Sequence, residues 1–222
     1  ADITNIDKIK VLGHGSISGV NTDMFKPNKT LGIEVRNKLG ISLKTKLILF
    51  LGRLNKDKGI IDLLDSFKIL KKQKRDIALL IVGPDESNID RYIRNYLSEY
   101  INSIYLVGFT SSPHRFMAAA DIFCLPSYRE GFGMTAVEAA ACELPVITSR
   151  IYGLTDAVEE NVTGLMHKPK DIFELRYSIE KLINNPQLSI NLGKNGRRRS
   201  IKLFSKEKVV NSFITYMDKL LV

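Results

Sequence analysis

Two cations and two carboxylates stand where short apolar runs give way to turns and helices. Arg53 and Lys58 lie five residues apart in GRLNKDKG (52–59), directly ahead of an amphipathic stretch. Two cations near one point neutralise a diphosphate and stabilise it as a leaving group; the competing reading is a solvated basic loop. The sharper signal is SYREGFGMTAVEAAACELP (127–145). Glu130-Gly131-Phe132-Gly133 forms a loop, and Gly131 and Gly133 let backbone approach a ligand closely. A helix begins near Met134, and its free N–H groups and positive dipole end make a phosphate seat. Glu138 lies in a small, apolar part of that helix, where an unpartnered carboxylate is costly. It sits roughly 7.5 Å into the helix and leans back toward its start, so it is placed to accept from a diol. Pairing with a neighbouring cation is the structural alternative.

A third place, GHGSISG (13–19), follows a predicted strand. Its glycines at 13, 15 and 19 miss the G-x-G-x-x-G spacing by one residue, and no acidic residue ends the next strand, KLILFL, to take a ribose. A nicotinamide dinucleotide site is therefore excluded, as is a P-loop, which needs Gly-Lys-Ser/Thr. An anion-binding turn and a plain hinge both remain open. Gly83-Pro84-Asp85, Gly108-Phe109 and Pro126-Ser127 share only their position after apolar runs, and each is compatible with ordinary turn chemistry.

These residues need elements to hold them. Strands are expected at 8–12, 46–51, 77–82, 104–108, 122–126, 145–149 and 163–168, most of them nearly continuous in apolar character, as in strands buried on both faces. Helices are expected from Gly59 to Gln73, over 88–101 with Ser87 as cap, and from Pro113 with Ser112 as cap. Further helices are expected over 172–184 behind Asp171 and Glu174, from Pro186, and over 206–221 behind Ser205. Such alternation gives an α/β fold, a doubly wound parallel sheet with helices on both faces, whose ligands sit beyond the carboxyl ends of the strands. Residues 1–30 read as a linker and 31–222 as one domain.

The chain has 222 residues, 33 Lys+Arg against 24 Asp+Glu, a net charge of +9, two Cys and no Trp. No apolar run has the length of a membrane span, and the opening ADITNIDKIKV reads as the edge of a piece of a longer chain rather than a signal peptide. Cys124 and Cys142 read as buried thiols in a reducing, cytoplasmic setting. The basic clusters KKQKR (71–75) and GRRRS (196–200) fit solvated faces, the competing reading being peripheral attraction to an anionic membrane. No nucleic-acid recognition module accompanies the charge, so a nucleic-acid partner is not expected. His14 and His114 have no metal partners at useful spacing; His114 is expected to be exposed.

The segment ADIFCLPSYREGFGMTAVEAAACELPVI resembles the E-x(seven)-E region of retaining GT-B glycosyltransferases, with Glu130 and Glu138 as the two glutamates. FLGRLNKDKG, LLIVGPDE, YLVGF and VTGLM follow in that family's order and spacing, so the whole chain is similar to its C-terminal, nucleotide-sugar-binding half. The resemblance implies that Arg53 and Lys58 hold the donor diphosphate, Glu130 contacts the donor sugar, and backbone of Phe132, Gly133, Met134 and Thr135 holds sugar and phosphate. It also implies that Glu138 binds the ribose and backbone near Phe109 the base, with Gly15, Ser16, Gly83, Ser127 and Gly131 as further donor contacts. Transfer with retention of configuration, a donor that is UDP-linked, a saccharide or lipid-linked acceptor of capsule type, and no required metal or other cofactor are implied likewise. The acceptor site belongs to an N-terminal domain outside this sequence. One segment departs from the family pattern: Ile151-Tyr152-Gly153-Leu154-Thr155-Asp156 replaces the usual Gly-Gly and glutamate. The alternative in another class is a non-catalytic nucleotide-sugar-binding or regulatory module with the same fold.

Overall fold

Six of the expected apolar runs form strands: β1 (Lys46–Leu51), β2 (Ile77–Val82), β3 (Ile104–Val107), β4 (Ile122–Leu125), β5 (Val146–Ser149) and β6 (Gly164–His167). They belong to a computed structural model that describes residues 11–16, 18–73 and 75–220. All pair in parallel, in the order β3-β2-β1-β4-β5-β6. The chain winds outward from β1 to β3, then returns to the middle and winds the other way from β4 to β6. Its switch point lies between β1 and β4, and the crevice there opens beyond Leu51 and Leu125. Six residue pairs join β1 to β2, but only Ile48 with Ile122 and Leu49 with Phe123 join β1 to β4.

Both faces of the sheet are covered, which is why its strands are apolar throughout rather than alternating. On one face Ile48, Phe50, Leu79 and Ile147 pack against α2 (Ile60–Lys72), α3 (Ile89–Tyr96) and α7 (Ile172–Asn184). On the other, Leu47, Leu49, Leu80 and Val146 meet α1 (Lys29–Leu39), α4 (Pro113–Ala119), α5 (Met134–Ala141) and Phe204 at the end of α8 (Pro186–Phe204). A short α6 (Tyr152–Thr155) follows β5, and α9 (Lys206–Leu220) closes the described chain. Among the described residues no helix is long and apolar enough to cross a membrane.

Helix α1 was not expected, because a core position on it is occupied by Arg36. That guanidinium is buried and donates to the carbonyls of Ala119 (2.7 Å), Ser42 (3.0 Å) and Thr45 (2.9 Å), and to Asp121 at 2.6 Å. It ties α1 to the amino-terminal edge of the sheet. Val20 and Phe25 are buried and Val20 pairs with Ser205, so packing of the domain reaches ahead of residue 31. The strand expected at 8–12 falls mostly outside the described residues, and Val11 and Leu12 are not in a strand.

Other expectations are corrected by local chemistry. The helix over 88–101 ends at Tyr96 and continues as a 3-10 turn over Ser98–Ser103. Its cap position is Asn88, not Ser87, and the carboxylate of Asp85 accepts from the N–H groups of Ser87, Ile89 and Asp90. Ser112 precedes α4 without a side-chain capping bond. The basic clusters are not simply solvated. Arg197 donates to the carbonyls of Ala141 (2.5 Å) and Phe25, Arg199 to that of Asp156, and Arg75 pairs with Glu180. His114 is half-buried, its ring edge-on to Phe25 at 6.1 Å. Cys124 and Cys142 are free and buried, and burial pushes the Cys142 thiol up to about 12.

Candidate donor-binding crevice

Beyond β1 the chain turns at Gly52 and delivers Arg53, then makes a single 3-10 turn over Lys56–Lys58. Asn55 caps that turn by accepting from the Lys58 N–H (3.2 Å), which fixes where the Lys58 side chain departs. Gly59, at φ +64, then starts α2. A Cβ there would stand 2.0 Å from the carbonyl oxygen of Pro126, so the Lys58 turn lies directly on the end of β4.

From β4 the chain runs through Ser127 to Glu130. Lys58 Nζ reaches Glu130 Oε1 at 2.5 Å, and the buried Ser127 hydroxyl donates to the same oxygen at 2.9 Å. Tyr128 anchors this corner: its N–H donates to Asp57 (2.7 Å), and the Lys170 ammonium lies 5.3 Å above its ring. Behind the loop, α6 acts as a wedge. A Cβ on Gly153 would stand 2.0 Å from the Glu130 carbonyl, and one on Gly133 2.3 Å from Leu154 Cδ2. Gly133, at φ +67, is thus demanded by packing as well as by the turn, whereas Gly131 is exposed and a Cβ there would meet open space. No side chain caps α5, so the N–H groups at its start have no side-chain acceptor, and Gly133, Met134 and Thr135 there line the crevice.

Arg53, Lys58, Glu130, Gly131, Phe132, Gly133, Met134, Thr135 and Gly15 line one crevice of about 440 Å³. Arg53 is more open than Lys58 and meets Glu86 at 3.5 Å, while Asn55 donates to the same Glu86 oxygen at 3.0 Å. The remaining expected residues stand outside this lining. Ser16 donates to Met134 Sδ at 3.3 Å and faces an adjoining cleft of about 860 Å³, which shares Gly15, Gly131 and Phe132 with the crevice. Ser127 is buried behind Glu130. Gly83, at φ +141, allows β2 to end against β1, since a Cβ would stand 1.9 Å from the Gly52 carbonyl. Phe109 is 80% exposed beyond β3.

Glu138 is half-buried among the alanines of α5 and has no hydrogen-bond or ion-pair partner among the described residues. The pairing alternative is therefore not what the structure shows. Burial pushes its carboxyl up from the ordinary 4.5 to about 7. Among the described residues no group of three or more His, Cys, Asp and Glu is placed to hold a metal ion.

Three residues near the crevice had escaped the sequence reading. Glu86 and Asn55 belong to turns beyond β2 and β1, and their strand-end position was the available signal. Tyr152, 90% exposed, lines the adjoining cleft with Phe132 and Arg199, in the segment that departs from the family pattern.

Solved structures carry this architecture. Sucrose-phosphate synthase from Thermosynechococcus elongatus aligns over 91% of this chain and 51% of its own, with a TM-score of 0.80 and 30% identity. Anabaena HepE, solved in complex with UDP, aligns over 90% of this chain and 56% of its own, with a TM-score of 0.81 and 22% identity. The fold is the Rossmann-like domain of GT-B glycosyltransferases, a parallel sheet with its crevice at the switch point. Residues 33–199 match the model of the family Glycosyl transferases group 1, and the chain belongs to that family. A relative is the Staphylococcus aureus capsular polysaccharide biosynthesis glycosyltransferase CapM, 34% identical over 210 residues, which are 93% of this chain and 54% of CapM. The chain spans about half the length of the curated relatives it matches.

Proposed function

We propose that this chain is the donor-binding half of a retaining glycosyltransferase that takes a sugar from a UDP-linked donor to a saccharide or lipid-linked acceptor of a surface polysaccharide. The observation that carries the reading is the meeting of Arg53, Lys58 and Glu130 with the uncapped start of α5 in one crevice at the switch point. In this reading the diphosphate lies between the two cations and the N–H groups of α5. As the bond from sugar to phosphate breaks, negative charge grows on the departing oxygen, and fixed positive groups stabilise it more than they stabilise the intact donor. Glu130 accepts from hydroxyls of the sugar, and Glu138 accepts from the ribose. The positive charge is assigned to Arg53, Lys58 and backbone N–H groups, and no metal is assigned. The acceptor site and turnover are placed in sequence outside this chain. The UDP complex of HepE and the capsular role in the name of CapM support the choice of nucleotide and acceptor class.

Titration calorimetry with UDP-glucose tests it. Arg53→Ala and Lys58→Ala are each expected to weaken binding about tenfold, the scale of one charge-assisted contact. Unchanged affinity in both variants sinks the assignment.

A further inference from the structure

Both cations of the crevice already hold carboxylates, on very different terms. The side chains of Lys58 and Glu130 are 18% and 12% exposed, whereas those of Arg53 and Glu86 are 64% and 39% exposed. Glu130 cannot easily withdraw. Ser127 holds the oxygen that faces Lys58, and α6 pins the Glu130 backbone through Gly153. An anion that enters must therefore share Lys58 with a fixed negative charge, in a site where screening by solvent and salt is weak. Glu86 presents no such obstacle, since an open pair gives way to water at little cost.

The two anions that this crevice would meet differ in charge at the end nearest this pair. A phosphate monoester loses its second proton near pH 6, so at pH 8 a free nucleoside diphosphate carries about one more negative charge than the same diphosphate esterified to a sugar. In the proposed pose that charge falls on the terminal phosphate, beside Lys58 and Glu130.

We infer that Glu130 is a specificity-determining charge filter: fixed beside Lys58, it disfavours the free nucleoside diphosphate relative to the sugar-esterified donor, so that the donor is taken up and the spent leaving group is expelled. The inference rests on the reading of the crevice as a nucleotide-sugar site. It gives Glu130 a task toward the leaving group, separate from contact with sugar hydroxyls.

Calorimetry at pH 8 with UDP and with UDP-glucose separates the two ideas. Glu130→Gln is expected to tighten UDP about tenfold and UDP-glucose less than about threefold, so the preference for the esterified form shrinks. Glu86→Gln is expected to shift both ligands by less than about threefold and to leave their ratio unchanged. The double variant Lys58→Met/Glu130→Gln should bind UDP better than Lys58→Met alone, because the Glu130 charge repels the terminal phosphate whether or not Lys58 offsets it; no gain in that pair overturns the filter. If Glu130→Gln leaves UDP binding unchanged or weaker while Lys58→Met weakens it, the filter is overturned and the donor site stands. If the wild-type chain binds neither UDP nor UDP-glucose, the donor-site reading itself falls. Should Glu130→Gln fail to give a cooperative melt, Glu130→Asp retracts the carboxylate from Lys58 and is expected to tighten UDP in the same direction; absence of that gain overturns the filter equally.

Discussion

Replacing Glu138 by glutamine should make the domain more stable and a poorer donor binder, because the carboxylate stands in α5 at a cost to the fold. Burial holds its carboxyl at about 7 in the folded chain, against 4.5 ordinarily, and no partner among the described residues offsets that burial. Because the folded-state value is the higher, the folded state binds the proton more tightly. Stability therefore falls as pH rises from about 4.5 to 7 and is level above that. At pH 8 the penalty is up to about 3 kcal/mol, with solvent contact at the half-buried oxygens reducing it. Glu138→Gln should recover much of this at pH 8 and little at pH 4.5, read as urea midpoints at the two pH values. Binding should move oppositely. If ribose is held by the carboxylate, the fraction ready to accept falls from about nine-tenths at pH 8 to about one-tenth at pH 6, so the Kd for UDP-glucose rises about tenfold. UDP-glucose is the right ligand because its phosphate diester charges do not titrate in this window. Calorimetry at the two pH values, on wild type and Glu138→Gln, decides the matter. A variant that is less stable at pH 8, or that keeps both the affinity and the pH slope of the wild type, would refute the reasoning.

Two further outcomes concern the scaffold. Asp121→Ala removes the charged partner of buried Arg36 and an acceptor for the Leu47 N–H, and should cost about 3 kcal/mol in urea denaturation; a loss under about 1 kcal/mol would mean that the three carbonyls suffice. Gly83→Ala should cost about 2 kcal/mol and also weaken UDP-glucose binding, because the new methyl displaces Gly52 and with it Arg53; Gly131→Ala should melt like wild type.

The strands were readable because a sheet covered on both faces demands unbroken apolar runs, and KLILFL or IALLIV fits little else. Lys58, Glu130 and the start of α5 were readable for a related reason, since the turns beyond those strands had to converge at the switch point. Helix α1 was not, because its core position is an arginine whose partners lie at Ser42, Thr45, Ala119 and Asp121, and such pairing leaves no periodic mark. Distance along the chain hid the Arg53–Glu86 pair in the same way. Glycines were only half readable. Gly83, Gly133 and Gly153 owe their identity to backbone or side chains pressing on them from other turns, which motif spacing does not reveal.

The junction between β1 and β4 has a consequence for how ligand and fold communicate. Only two residue pairs bridge it, and the crevice sits over that seam with Arg53 and Lys58 on one bank and the start of α5 on the other. A donor gripped from both banks is a fastener across the seam with the fewest paired residues in the sheet. Each occupied crevice then resists parting of the two halves, and strain that opens the halves loosens the grip on the donor.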